Sequence, residues 1–307
     1  MATVEQGLPR LALGPVLYYW PRQMLLDFYE RMSAAPLDIV YIGETVCSKR
    51  HALNTTDWLD LAERISATGK EVVLSTLALL EAESELKTLR RLCANGRFTV
   101  EANDMGAVHL LAAQGVPFVL GTGINVYNER TLGVLARLGA QRWVMPVELS
   151  RETLAAIQAR RPAGVETEVF AYGRLPLAYS ARCFTARYHD LPKDDCQYRC
   201  LDDPEGLTLS TRESQIFLTL NGIQTQSAQT CNLLAELADL RALGVDVLRL
   251  SPQPHDMETV IEAFAACRSG ARDPREAAQA LNAGLPHGAC DGYWQGQPGL
   301  RQVAAAV

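Results

Sequence analysis

The sequence predicts an α/β fold, a TIM-like barrel of parallel strands and covering helices, on three observations. Short apolar runs alternate with amphipathic stretches along most of the chain. Eight of those runs are continuously apolar, as strands buried on both faces should be. Gly69, Gly96, Gly115, Gly139 and Gly244 each stand between an amphipathic stretch and the next run, where a helix C-terminus wants a glycine. Eight strands close a barrel, and the 307 residues are enough for one, since such a barrel takes roughly 250.

The strands are expected over 11–18, 38–43, 71–75, 98–101, 118–121, 142–146, 165–171 and 245–250. Helical patterns over 58–68, 81–93, 104–114 and 130–138 fill gaps between them. Asp104, Ser150 and Asp256 sit at N-cap positions. Residues 172–244 break the rhythm, being far longer than an ordinary connection. They read as a cysteine-bearing insertion between the seventh and eighth strands, with a strand-like run over 216–220 and a helix near 233–243. Insertions on this C-terminal face carry function in barrels. The barrel with its insertion then takes 1–270, and 271–307 forms a C-terminal helix and irregular tail, surface cover after Leu285.

Composition narrows the function. A hydrophobic fraction of 48% against 21% charged residues supports a packed core. The net charge of −6 argues against nucleic-acid and anionic-membrane binding. No apolar run approaches the roughly 20 residues of a membrane span. The start, Met1-Ala2-Thr3-Val4-Glu5-Gln6, lacks the basic and apolar regions of a secretory signal, so a cytoplasmic location is expected. Thiols are kept reduced there, which leaves eight cysteines to explain by burial or metal ligation rather than disulfides.

Cys183, Cys196 and Cys200 cluster in the insertion, and Asp194-Asp195-Cys196-Gln197-Tyr198-Arg199-Cys200 is expected to put two sulfurs on one face of a helical turn. Cys47 follows the second strand and so emerges on the same barrel face. Four converging thiolates suit an iron–sulfur cluster or a zinc. Buried, unrelated thiols remain the alternative, because free cysteine is among the most buried residue types. Cys93 and Cys267 lie in amphipathic helices and read as core; Cys290 lies in the tail. Cys231 competes for the fourth ligand position, since it too begins a helix after a strand-like run.

Glu44, Glu101, Asn103, Asn125, Glu148, Arg174 and Arg249 fall at or just past strand C-terminal ends, where barrel chemistry is built. Gly121-Thr122-Gly123 reads as turn glycines rather than a phosphate loop. The chain lacks Ser-His-Asp and H-E-x-x-H signatures, which removes the common hydrolase motifs.

Several stretches resemble one family closely. They include Gly14-Pro15-Val16-Leu17-Tyr18-Tyr19-Trp20, Gly43-Glu44-Thr45-Val46-Cys47-Ser48-Lys49-Arg50 and Val100-Glu101-Ala102-Asn103-Asp104-Met105-Gly106-Ala107. Also matching are Arg142-Trp143-Val144-Met145-Pro146-Val147-Glu148-Leu149-Ser150, the long run from Tyr172-Gly173-Arg174 through Ala181-Arg182-Cys183-Phe184, Leu220-Asn221-Gly222-Ile223-Gln224 and Leu248-Arg249-Leu250-Ser251-Pro252. They are similar to the oxygen-independent hydroxylation branch of the collagenase-like peptidase family, which serves ubiquinone biosynthesis. The resemblance implies a [4Fe–4S] cluster on Cys47, Cys183, Cys196 and Cys200, with Cys231 as the alternative fourth ligand. It implies a heterodimer with UbiU, a sterol-carrier-like lipid-binding partner, UbiT, and a prenylated quinone precursor as substrate. Prephenate is the oxygen donor implied by hydroxylating relatives. Its carboxylates make Arg174, Arg182 and Arg249 candidate contacts, each of which has a rim acid, Glu44, Glu101 or Glu148, as a rival partner. Four thiolates would saturate the cluster, favouring electron transfer or structural organisation. A non-catalytic cluster-bearing scaffold and a peptidase are the rival readings.

Overall fold

The computed structural model describes residues 7–303; the start of the chain, read above for a signal, and residues 304–307 of the tail lie outside them. Seven strands, β1 (Arg10–Leu13), β2 (Ile39–Ile42), β3 (Glu71–Ser75), β4 (Thr99–Ala102), β5 (Phe118–Leu120), β6 (Ala140–Val144) and β7 (Glu166–Tyr179), follow one another in parallel. The insertion adds β8 (Leu207–Ser210), β9 (Ile216–Asn221) and β10 (Gln224–Asn232). Strand β11 (Val247–Leu250) pairs in parallel with both β1 and β7 and closes an eight-stranded barrel, a TIM-like fold. β12 (Ala289–Cys290) pairs with β10.

Helices α1 (Arg22–Ala34), α2 (Thr55–Ser66), α3 (Glu83–Cys93), α4 (Met105–Ala113), α5 (Glu129–Arg137) and α6 (Arg151–Gln158) alternate with the strands. The short α7 (Phe184–Tyr188) lies in the insertion, and α8 (Leu237–Ala242), α9 (Met257–Arg268) and α10 (Pro274–Ala283) complete the chain. Local chemistry sets their ends. Asn54 accepts from the amides of Thr56 and Asp57, while the Asp57 carboxylate accepts from the Asn54 amide, a reciprocal capping box. Asp104 and Ser150 cap α4 and α6 as expected. Asp256 does not: its backbone is left-handed (φ 60°) and its side chain makes no cap bond.

Leucines, isoleucines and aromatics on the outer strand faces pack against the helices, and Trp143, Tyr29 and Phe264 are buried there. Inside the barrel a smaller set remains, Ala12, Ile39, Tyr41, Val73, Val119, Val144 and Val247. β7 runs on for 14 residues, well past the expected 171. Its first half lies between β6 and β11; its second half pairs antiparallel with β10. Gly173 marks the change, at φ +125°, with no room for a Cβ, which would come within 2.6 Å of Ser251. The segment after Leu285 is not surface cover: Cys290 and Trp294 are 1% and 3% exposed.

Candidate functional site

The eight cysteines divide by burial into two sets of four. Cys93, Cys231, Cys267 and Cys290 are buried, whereas Cys47, Cys183, Cys196 and Cys200 are half-exposed. Cys47 sits in the loop after β2, where Glu44 accepts from the Val46 and Cys47 amides at 2.9 and 3.0 Å. Cys183 caps α7, its sulfur accepting from the Ala186 amide at 3.4 Å. Cys196 and Cys200 do not share a helical turn. Gln197 and Tyr198 both take left-handed backbone (φ 50° and 54°), and this break separates two short 3₁₀ turns.

The four thiols nonetheless form one neighbourhood. Burial pushes the Cys200 thiol up to about 11, the other three cysteines adding like-charge repulsion and Arg50 opposing it. Burial also pushes Cys47 up, with Arg50 opposing and Cys183 adding. Arg50 is buried and fixed by the Leu17 carbonyl at 2.9 Å and Asn221 Oδ1 at 2.8 Å, and it faces this group together with the more exposed Lys49. Among the described residues, no three His, Cys, Asp or Glu side chains lie close enough to hold a single metal ion. Four thiols are the donor set that an iron–sulfur cluster or a zinc ion takes. Cys231 lies elsewhere, in register with Cys290 on β12 and opposite Gly173.

Beside the cysteines a cleft of about 810 Å³ opens at the C-terminal ends of β2 and β3, between α2 and α3. Ala181, Lys193 and Asp194 from the cysteine segment wall one side. That wall is tied down by Lys193 on Glu81 and by Lys49 Nζ on Asp194 at 2.7 Å.

A second feature runs down the barrel axis. Arg249 bridges Glu101 (Nη1–Oε1 2.8 Å) and Glu168 (Nε–Oε1 2.5 Å), and its guanidinium lies 4.1 Å from the Tyr41 ring centre. The Tyr41 hydroxyl donates to the other Glu168 oxygen at 2.5 Å and accepts from Arg142 at 3.1 Å. Arg142 reaches Glu71 and Glu166, and Arg10 joins the same two acids at 2.7 and 2.6 Å. Above Arg249, Glu101, Asn103, Thr45 and Ser251 line a cavity of about 20 Å³, enough for one water. Arg249 Nη2, Thr45 Oγ1 and Ser251 Oγ have no hydrogen-bond partner.

The candidate arginines therefore differ. Arg249 has two edges of its guanidinium spent on carboxylates, so it offers a ligand one nitrogen and no bidentate fork. Arg174 is buried and holds the Glu205 carbonyl at 2.5 Å, near Tyr18. Arg182 is exposed beside Cys183. Glu101 accepts from Ser75 at 2.6 Å and belongs to the axis network, and Glu148 accepts from the Tyr127 hydroxyl. Asn125 is exposed and Asn103 donates to the Thr76 carbonyl. Sequence reasoning missed Arg50, Tyr41, Arg142 and Glu168. The available signal was charge inside apolar strands: Glu166 and Glu168 are two apart and share the face that points into the barrel.

The chain is similar to several known proteins. Over 160 residues, 49% of this chain, the sequence is 28% identical to tRNA hydroxylation protein P of Escherichia coli (strain K12). The match covers 35% of that protein, so the chain spans about a third of its length. The U32 peptidase Mk0906 superposes over 82% of this chain and 96% of its own, at 13% identity and a TM-score of 0.45. Dihydropteroate synthase from Thermus thermophilus superposes over 85% of this chain and 94% of its own, at 14% identity and a TM-score of 0.42. A family profile covers residues 27–302, from α1 through the barrel and cysteine insertion to the tail, and the chain belongs to peptidase family U32.

Proposed function

We propose that the chain is the cluster-bearing, UbiV-type subunit of an oxygen-independent ring hydroxylation system in ubiquinone biosynthesis. It acts in the cytoplasm as a heterodimer with UbiU, and a sterol-carrier-like protein, UbiT, delivers the prenylated substrate. The observation that carries this reading is the division of the cysteines, four gathered half-exposed at the barrel's C-terminal face and four buried elsewhere. Cys47, Cys183, Cys196 and Cys200 would hold a [4Fe–4S] cluster, which when bound supplies one-electron chemistry. Arg50 offsets the negative charge of the thiolates, and Glu44 fixes the loop that carries Cys47. Hydroxylation is supported by the tRNA hydroxylation relative. With prephenate as donor, Arg182 and the free Nη2 of Arg249 are the cationic groups left for its carboxylates.

Anaerobic purification with iron and sulfide analysis tests the centre; about four of each per chain are expected. Serine at Cys47, Cys183, Cys196 or Cys200 depletes the iron, and serine at Cys93, Cys231, Cys267 or Cys290 leaves it. Full iron content in Cys47→Ser together with loss in Cys231→Ser would refute the ligand set.

A further inference from the structure

The cleft between α2 and α3 is large, with an apolar floor and a polar rim, and the hydroxylation reading assigns it no occupant. Its 810 Å³ falls in the range of small-molecule pockets, roughly 300–1,000 Å³. Leu53, Trp58, Leu74 and Leu89 form the floor, each 8% exposed or less, and Leu77 and Leu80 continue it outward.

Many of the polar groups at the rim are spent on one another, while His51, Ser84 and Thr88 stand exposed at its edge. Ser75 and Thr76 donate to Glu101 at 2.6 and 3.0 Å. Glu85 accepts from the amides of Glu81 and Ala82, and Glu44 from those of Val46 and Cys47. Lys49 and Lys193 are committed to Asp194 and Glu81. A sugar or nucleotide would need free donors and acceptors on the floor, and burying its hydroxyls without them is costly. The floor offers apolar surface, which rewards a hydrocarbon ligand in proportion to the area it covers.

We propose that this cleft binds a hydrocarbon chain, acyl or isoprenoid, lying along α2 and α3 with its polar end toward the Cys47 and Cys183 loops. That this chain is the prenyl tail of the substrate rests on the function proposed above; the chain site itself does not. The cysteine segment then serves as a side wall, clasped shut by the Lys49–Asp194 and Lys193–Glu81 pairs.

Trp58 in the floor, one of four tryptophans, supplies the readout. Titration of the full chain with dibromostearate should quench Trp58, and Trp58→Phe should lose that quenching. Leu80→Glu places a charge in the apolar wall and should weaken quenching about tenfold or more. Thr88→Phe fills the cleft from an exposed α3 position that does not endanger folding, and should weaken it likewise. Displacement by geranylgeraniol more readily than by stearate identifies an isoprenoid site, and the reverse an acyl site; either supports the proposal. Cys183→Ser should keep full quenching without a cluster, so failure of the cluster reading leaves this result intact. Equal quenching in Trp58→Phe, or none in the wild type with or without a co-expressed partner protein, would overturn it.

Discussion

At Arg249 one side chain bridges two buried carboxylates whose other partners are mainly neutral, Ser75 for Glu101 and Tyr41 for Glu168, with Arg142 3.9 Å from the latter. Glu101 and Glu168 are 1% and 0% exposed, and a buried charge is tolerable only when paired. Removing the cation takes from both acids the nearest charge that balances them. Arg249→Leu is therefore expected to destabilise the chain by about 3–5 kcal/mol, read from urea unfolding. Arg182→Leu, at an exposed position, should shift stability by less than about 0.5 kcal/mol. Equal, small effects would mean that Arg249 is not an axial support. Asp57 gives a residue-level pH dependence. Hydrogen bonds from Arg22, then from the Asn54 amide, hold its carboxyl down to about 2, below the ordinary 3.8. A depressed folded value stabilises above the unfolded value and is lost as pH falls through the folded one. The stability difference between wild type and Asp57→Asn should thus be constant above about pH 5 and vanish toward about pH 2. A difference that persists at the acid end would contradict the pairing.

Among the elements, β12 and the residues after it do the least expected work. Trp294 is 3% exposed, and the buried Cys290 thiol is pushed up to about 12, chiefly by burial. Trp294→Ala should cost about 3–5 kcal/mol in urea unfolding and speed alkylation of Cys231, which pairs with β12. A loss under about 0.5 kcal/mol would return the tail to the role of surface cover. Proline- and glycine-rich sequence hid this packing, since no periodicity marks a two-residue strand. The barrel strands were legible because each is a short apolar run, with Gly69, Gly96, Gly115, Gly139 and Gly244 marking the helix ends before five of them; 71–75 matches β3 to the residue. β7 was misjudged in length because its second half, Gly173–Tyr179, carries Arg174 and Pro176 and reads as loop. It becomes a strand through β10, a partner some fifty residues away. Only tertiary pairing could supply that.

Over the whole molecule, the gathering of Cys47 with the insertion followed from topology, because both leave the barrel at strand C-terminal ends. The shape of the Cys196–Cys200 turn did not, since left-handed Gln197 and Tyr198 have no sequence mark as glycine would. The cleft was invisible for another reason: α2 and α3 are joined in it by the cysteine segment, which lies far along the chain beyond four more strands. The axis of Arg10, Glu71, Arg142, Glu166, Glu168 and Arg249 looked like interruptions of apolar strands rather than one column. The long β7 carries a further consequence. Its backbone is at once a stave of the closed barrel and the first rung of the platform that bears three cysteines. The insertion is therefore no detachable cassette. Grafting it onto another eight-stranded scaffold would demand that the host's seventh strand overrun its own rim by half its length, with a glycine where Gly173 bends. Chimeras should thus be cut before β7, never after it.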